Sequence, residues 1–450
     1  VGRSRSLLVT LLALVLGAGV LVSVPVAPAS ASAATAPVAA RQAAAAPFQS
    51  YQGTRAQLRK MKRGQVIKTR TLTYSVQGIP LPIRVVQLLY RTTDQRGRAT
   101  WNATSILKPP VALHPDRVVA YGSFYDSLNP LDGPSYAVAG GRSSGTSAVH
   151  AETALVTPFL LAGYSVVMAD TQGRTADFAA GPEYGYTTLD SLRAALASPA
   201  AGIAAQPDIA LFGYSGGAIA TNWAATLAPT YAPDINRRLV GAAEGGVLVA
   251  PDNNLPYVSG SQVWAGVAPM ALVGAARAFG IDLRRYLSAR GKRIFRALQK
   301  APIADVLGRY PGLRFEQLVK RRYRDPASIP EYVRTVNQLN LGLRRSPTVP
   351  MFIGQGAGGE VEGTPGDKPG IGPGDGVMIA GDVRTLARKY CNAGTRVRYQ
   401  QYPLSHFTTV PLWLPDAIAW TEARFAGRAA PSSCGSIPPG TSLARLKVRR

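Results

Sequence analysis

Histidine is scarce in this chain of 450 residues, which has three, and cysteine is scarcer still at two. No cluster of these ligands shows the spacing of a zinc module, so a metal-built fold is excluded. Acidic residues are also few: 25 Asp and Glu stand against 50 Lys and Arg, a net charge of +25. The hydrophobic fraction is 46% and the charged fraction 17%. That balance excludes overall disorder and provides for one large core or two modest ones. No internal repeat is present, which removes solenoids and propellers.

Past the first forty residues no continuous apolar span occurs, so the mature chain is expected to be soluble. Within them, Arg3 and Arg5, an apolar run at 7–26 and the segment Ala29-Ser-Ala-Ser-Ala33 follow the order of a Sec-type signal peptide. The run is long enough for an uncleaved anchor. Pro25, Pro28 and the Ala-x-Ala pattern favour secretion, with cleavage after Ala31 or Ala33. Residues 1–33 are thus read as signal and 34–50, rich in Ala and Pro, as a flexible leader. Two cysteines in an exported chain make a Cys391–Cys434 bridge the first expectation and two unpaired buried thiols the alternative.

Basic residues cluster at 55–70, 284–300, 320–324 and 447–450. Such a field attracts nucleic acid, anionic lipid or acidic wall polymer. No helix-turn-helix pattern or aromatic-interleaved basic motif accompanies it, so nucleic acid is not an expected partner. Loose attraction to an anionic membrane or cell-wall surface is retained. Oligomeric state has no sequence signal.

Three extended runs at 66–76, 83–92 and 100–107, divided by Gly, Pro and Asp94-Gln-Arg-Gly97, predict an antiparallel meander at a sheet edge. Strand and helix then alternate: strand 118–122, helix 151–161, strand 165–169, helix 188–195, strand 209–214. Alternation of this kind builds a mostly parallel sheet with helices on both faces. It resumes at 239–249, stops, and returns with strand 349–353, helix 377–390, strand 397–402 and helix 411–426. The interval 251–348 looks helical and loop-like, an inserted cap or lid and not a second core. Around it, 51–250 and 349–450 are the two parts of the main body, the second ending in a tail. In the insert, Leu283, Leu287, Ile294 and Leu298 fall at helical spacing with arginines between, an amphipathic helix with a solvated basic face. Residues 354–376 form a long Gly-rich loop.

Two segments match Gly-x-Ser-x-Gly: 141–145 around Ser143, and 213–217 around Ser215. Only the second lies between a buried strand and a helix, the setting in which a serine is exposed on a strained turn as a nucleophile. Ser143 lies in a polar loop and is set aside. Gly213 and Gly217 flank Tyr214, Ser215 and Gly216 where larger side chains would collide, and the Gly216 amide is aimed as an oxyanion donor. A serine needs a base, and in α/β-hydrolases the order is Ser, acid, His. His114 and His150 precede Ser215; His406 follows the last strand and fits. The acid lies among Glu360, Glu362, Asp367, Asp375 and Asp382. Asp382 is expected to face outward, Asp375 sits where a helix would fix it and is preferred, and Asp367 is second. The second oxyanion donor belongs to the loop after strand 118–122, where Asp126 is also a natural turn former.

Tyr125-Asp-Ser127, Pro134-Ser-Tyr136, Gly213-Tyr-Ser-Gly-Gly-Ala218, Ala232-Pro-Asp234 and Tyr402-Pro-Leu-Ser-His406 together resemble the secretory lipase family typified by Candida antarctica lipase A. The resemblance implies an α/β-hydrolase fold with a cap over an acyl tunnel, Ser215 as nucleophile, His406 as base and Asp375 as acid. It also implies Asp126 and Gly216 as the oxyanion hole and a Cys391–Cys434 disulfide. The expected activity is hydrolysis of carboxylic esters, acylglycerols above all, with lipid or small esters as substrates and no metal or organic cofactor. Rival readings are an acyltransferase of envelope lipids using the same residues and a non-catalytic basic protein that binds surfaces. The cap matches the family poorly outside Leu287–Lys292, and the Gly-rich loop is longer than usual.

Overall fold

The computed structural model describes residues 48–449. The expected signal peptide and most of the leader lie outside them. The last leader residues are not loose: Phe48 is buried against Leu89 and Ala103, the Trp101 indole donates to the Gln49 carbonyl at 3.0 Å, and Lys68 Nζ donates to the Ser50 carbonyl at 2.6 Å.

Nine strands form one sheet: β1 Val66–Val76, β2 Ile79–Thr93, β3 Ala99–Leu107, β4 Arg117–Gly122, β5 Ser165–Ala169, β6 Asp208–Tyr214, β7 Leu239–Gly245, β8 Met351–Gly356 and β9 Val397–Tyr402. Their spatial order is β1-β2-β3-β5-β4-β6-β7-β8-β9. The meander pairs antiparallel and joins β5 antiparallel, while β5 to β9 run parallel. Every residue of β5 and β8 is buried, as continuous apolar runs in a covered parallel sheet must be.

Helices Gly181–Ala197, Gly216–Tyr231 and Ala380–Asn392 cover one face through Leu192, Trp223 and Tyr390. Helices Thr153–Leu161 and His406–Phe425 cover the other through Phe159, Trp413 and Trp420. The parallel strands point their carboxyl ends to one edge, where ligand sites of open parallel sheets form.

The last helix begins at His406, five residues before the expected start at Pro411, with Ser405 and Thr408 closing a capping box. Both Pro411 and Pro415 lie inside it, a breach of helix preference that surrounding packing tolerates. β7 stops at Gly245 because Gly246 takes φ +62°, bringing its backbone against the His406 ring.

Among the described residues, 251–348 holds helices and turns and no strand of the sheet. Its apolar residues, among them Trp264, Met270, Phe295 and Leu318, form one cluster with Leu128, Phe178 and Met378 from the main body.

A disulfide joins Cys391 to Cys434. It ties down a tail that carries neither helix nor strand from Gly427 to Arg449. The tail returns across the insert: Asn337 Nδ2 donates to the Leu446 carbonyl at 2.9 Å, Asn340 Nδ2 to the Leu443 carbonyl at 3.2 Å, and the Arg449 amide to the Ala327 carbonyl at 3.0 Å.

Candidate active site

β6 ends in Gly213-Tyr214, and Ser215 turns the chain into the helix Gly216–Tyr231 with φ +55° and ψ −121°. A non-glycine residue at positive φ is strained and persists only where its surroundings hold it. Here the Ser215 amide donates to the Gly245 carbonyl at 2.8 Å. A Cβ on Gly213 would collide with the Gly217 carbonyl, and one on Gly217 with the Gly122 carbonyl. Three glycines thus let β4, β6 and the helix approach closely enough to make the turn.

Ser215 Oγ lies 2.7 Å from His406 Nε2, and His406 Nδ1 lies 2.7 Å from Asp375 Oδ2. The Asp375 carboxyl is fully buried, and its Oδ1 accepts from the Val377 and Met378 amides at 3.0 and 2.7 Å. The His406 amide donates to the Asp375 carbonyl at 2.7 Å, so acid and imidazole are locked through main chain as well. Burial opposes the charged imidazole, but the Asp375 carboxylate outweighs it and holds His406 above its ordinary pKa, with Glu362 and Asp126 adding.

Asp126, in the loop after β4, has φ +25° and abuts Gly216, where a Cβ would strike its carboxyl. Gln172 Nε2 donates to Asp126 Oδ1 at 3.0 Å, and Gln172 Oε1 accepts from the Ser127 amide at 3.1 Å. Burial pushes the Asp126 carboxyl up to about 7, against the opposing pull of His406.

Asp126, Ser215 and Gly216 form the polar end of a cavity of about 160 Å³ whose other walls are mainly apolar residues of the insert, among them Val267, Leu287 and Leu318. The arrangement is that of acyl transfer: a hydroxyl within reach of an imidazole, an acid to orient it, the Gly216 amide at a helix N-terminus with the Asp126 loop against it, and an apolar chamber. Among the described residues no group of three or more His, Cys, Asp or Glu is placed to hold a metal ion.

The rejected candidates lie elsewhere. Ser143 Oγ donates to Asp132 Oδ1 at 2.7 Å, and His150 Nε2 lies 3.2 Å from the Ala137 carbonyl. Glu360 and Asp367 are exposed. Asp382 does not face outward: it is buried, and its Oδ1 accepts from Asn253 Nδ2 at 2.9 Å and from the Thr441 hydroxyl. Glu362, ranked below Asp375 and Asp367 among the candidate acids, is buried beside His406; Oε1 accepts from the Phe407 amide at 2.9 Å and Oε2 from the Trp264 indole at 2.7 Å.

The model of the secretory lipase family matches residues 140–433. The chain belongs to the secretory lipase family. Lipase 2 of Candida albicans is 30% identical to this lipase over 398 residues, covering 85% of the chain and 81% of the relative. Candida antarctica lipase A in its closed state superposes with a TM-score of 0.74 at 25% identity, covering 88% of this chain and 89% of the other. A rice cell wall degrading esterase from Xanthomonas oryzae, at 13% identity and TM-score 0.59, shares the fold. The lipase is an α/β-hydrolase and hydrolyses carboxylic esters. A probable inactive lipase of Mycobacterium tuberculosis, 27% identical over 373 residues, is also among its relatives.

Proposed function

We propose that the lipase cleaves acylglycerols or related lipid esters through an acyl-enzyme on Ser215. Ser215 Oγ attacks the ester carbonyl as His406 Nε2 takes the hydroxyl proton, and Asp375 orients and stabilises the imidazolium. The oxygen of the tetrahedral intermediate is held by the amides of Asp126 and Gly216. Collapse breaks the bond to the alcohol, which leaves with the proton from His406. Water, deprotonated by His406, then attacks the acyl-enzyme, and the carboxylic acid departs as Ser215 regains its proton.

The observation that carries this reading is the unbroken Ser215–His406–Asp375 chain with both contacts at 2.7 Å. A surface-binding protein without catalysis has no use for a hydroxyl, an imidazole and a carboxylate so aligned, so the probable inactive mycobacterial relative does not decide the matter. The test is purified mature protein on p-nitrophenyl esters of graded chain length, beside Ser215→Ala, with a fluorophosphonate probe. Equal inactivity of wild type and variant on every ester, with no label on Ser215, would sink the reading.

In this reading residues 251–348 are the cap, their apolar cavity takes the acyl chain, and 51–250 and 349–450 form the hydrolase body. Residues 1–33 direct secretion, with cleavage after Ala31 or Ala33; N-terminal sequencing of protein from culture medium checks it.

The cap also supports attraction to anionic lipid. It carries seventeen Lys and Arg against six Asp and Glu. Lys292 and Arg296, exposed one turn apart and without an acidic partner among the described residues, line an outer groove that shares Leu287 and Phe295 with the acyl cavity. Arg284 in the same groove is spent on Asp282, at 2.9 Å. Hydrolysis on anionic vesicles should exceed that on zwitterionic ones, and the double variant Lys292→Gln, Arg296→Gln should lose that gain; equal loss from neutralising Arg59 and Arg63 would reduce it to net charge alone.

A further inference from the structure

The Gly-rich loop between β8 and Asp375 has no part in the chemistry above, yet it buries a carboxylate. Glu362 closes a short helical turn, Gly359–Glu362, and both of its oxygens are hydrogen-bonded. Oε1 takes the amide of Phe407, the residue following His406, at 2.9 Å; Oε2 takes the indole N–H of Trp264, from the insert, at 2.7 Å. The Trp264 ring meets His406 edge-on with centroids 5.2 Å apart and stacks on Phe407 at 5.1 Å.

A second line of bonds runs beside the first. The Trp264 amide donates to Ser261 Oγ at 3.1 Å, Ser261 Oγ lies 2.7 Å from Thr364 Oγ1, and Thr364 Oγ1 donates to the Gly376 carbonyl at 2.7 Å. Gly376 has φ +120°, and a Cβ there would crowd both the Glu362 carboxyl and the Trp264 indole. Insert, loop, acid and base therefore meet at one buried carboxylate.

We propose that Glu362 is a positioning residue coupling the inserted segment to the base: it clamps the amide after His406 to the Trp264 indole, so the imidazole stays aligned with Ser215 only while Trp264 is seated. A closed clamp orients the base for proton transfer. A displaced Trp264 leaves a buried acceptor unpaired beside the imidazole, which is unfavourable in so dry a site. The state of the insert over the acyl cavity is thereby reported to the proton-transfer step. The proposal rests on His406 being the base.

The charged groups facing the imidazole are Asp375, Glu362 and Asp126; Tyr214, Trp264 and Phe407 present neutral rings. Beside Glu362 stand Asp375, Glu360 and Tyr257, whose hydroxyl accepts from the Gly376 amide at 3.2 Å and is held neutral by burial. Burial pushes the Glu362 carboxyl up, while His406, the Ser405 hydroxyl and the Phe407 amide pull it down. A negative Glu362 raises the imidazole pKa, so its removal moves the acid limb of kcat/KM to lower pH.

Four proteins are compared on a soluble short ester: wild type, Glu362→Gln, Glu362→Asp and Trp264→Phe. Glu362→Gln should lower kcat about tenfold or more with KM nearly unchanged, and move the acid limb down by about half a unit. Glu362→Asp, which keeps the charge, should keep the midpoint. Trp264→Phe, which keeps a ring and the carboxylate but loses the donor, should lower kcat at an unchanged midpoint. Wild-type kcat and midpoint in Glu362→Gln would overturn the proposal. Should Glu362→Gln not fold, wild-type kcat in Trp264→Phe would overturn it too. Fluorophosphonate labelling separates the failures: an unlabelled wild type removes the base assignment itself, while equal labelling rates in all four proteins remove only the clamp.

Discussion

Ser143 and Ser215 occupy the same five-residue pattern, and the molecule uses them in opposite ways. The glycines do not separate them: Cβ atoms on Gly141 and Gly145 would meet the Tyr136 carbonyl and the Asp132 carboxyl, as those on Gly213 and Gly217 meet main chain. The hydroxyl's partners do. Ser143 Oγ is committed to Asp132 and accepts from the Thr146 amide at 3.1 Å at the start of a short helix. Ser215 has positive φ, sits at the carboxyl end of a parallel strand and, among the described residues, turns its hydroxyl to an imidazole. A crowded turn is cheap; a strained turn facing a base is costly and marks chemistry.

The comparison is sharpest where it can be broken. Ser215→Ala should cut kcat/KM on a soluble ester by roughly 10⁴-fold or more; residual turnover near wild type would mean that the two serines do not differ in role. Asp375→Asn should follow with a loss of about 10³ to 10⁴-fold. The pH profile gives its sign. In the proposed mechanism His406 acts as base only when neutral, and Asp375 raises its pKa, so activity should fall as pH drops through a midpoint above that of an ordinary histidine. Removing the charge must move the midpoint down; an upward move would show that Asp375 does not act on the imidazole.

Gly213→Ala should destabilise by roughly 3 kcal/mol in thermal unfolding, because the added Cβ meets main chain that cannot yield. Ser143→Ala is the smallest change. It removes a helix-start hydrogen bond for about 1 kcal/mol, and its kcat/KM should stay within about twofold of wild type. A larger catalytic loss would erase the distinction drawn here.

Much of this was legible before the structure. β5 and β9 begin and end where the residue pattern places them, because short apolar or alternating runs bounded by turn formers have one reading in a covered sheet. His406 emerged by elimination among three histidines. What escaped depended on partners far along the chain. Asp382 is buried because Asn253 and Thr441 reach it across 129 and 59 residues. Glu362 looks like an ordinary acid in a Gly-rich loop until Trp264, 98 residues away, is placed over it. The start of the last helix was hidden by Pro411 and Pro415, which local preference reads as a beginning and which packing carries inside.

The tail stapled at Cys434 works as a strap buckled to the hydrolase body at one end and threaded over the insert at the other. None of Ser215, His406 and Asp375 belongs to it. A molecule clipped near Gly427 would keep all three of these residues and lose the bonds by which Asn337 and Asn340 fasten the insert to the tail.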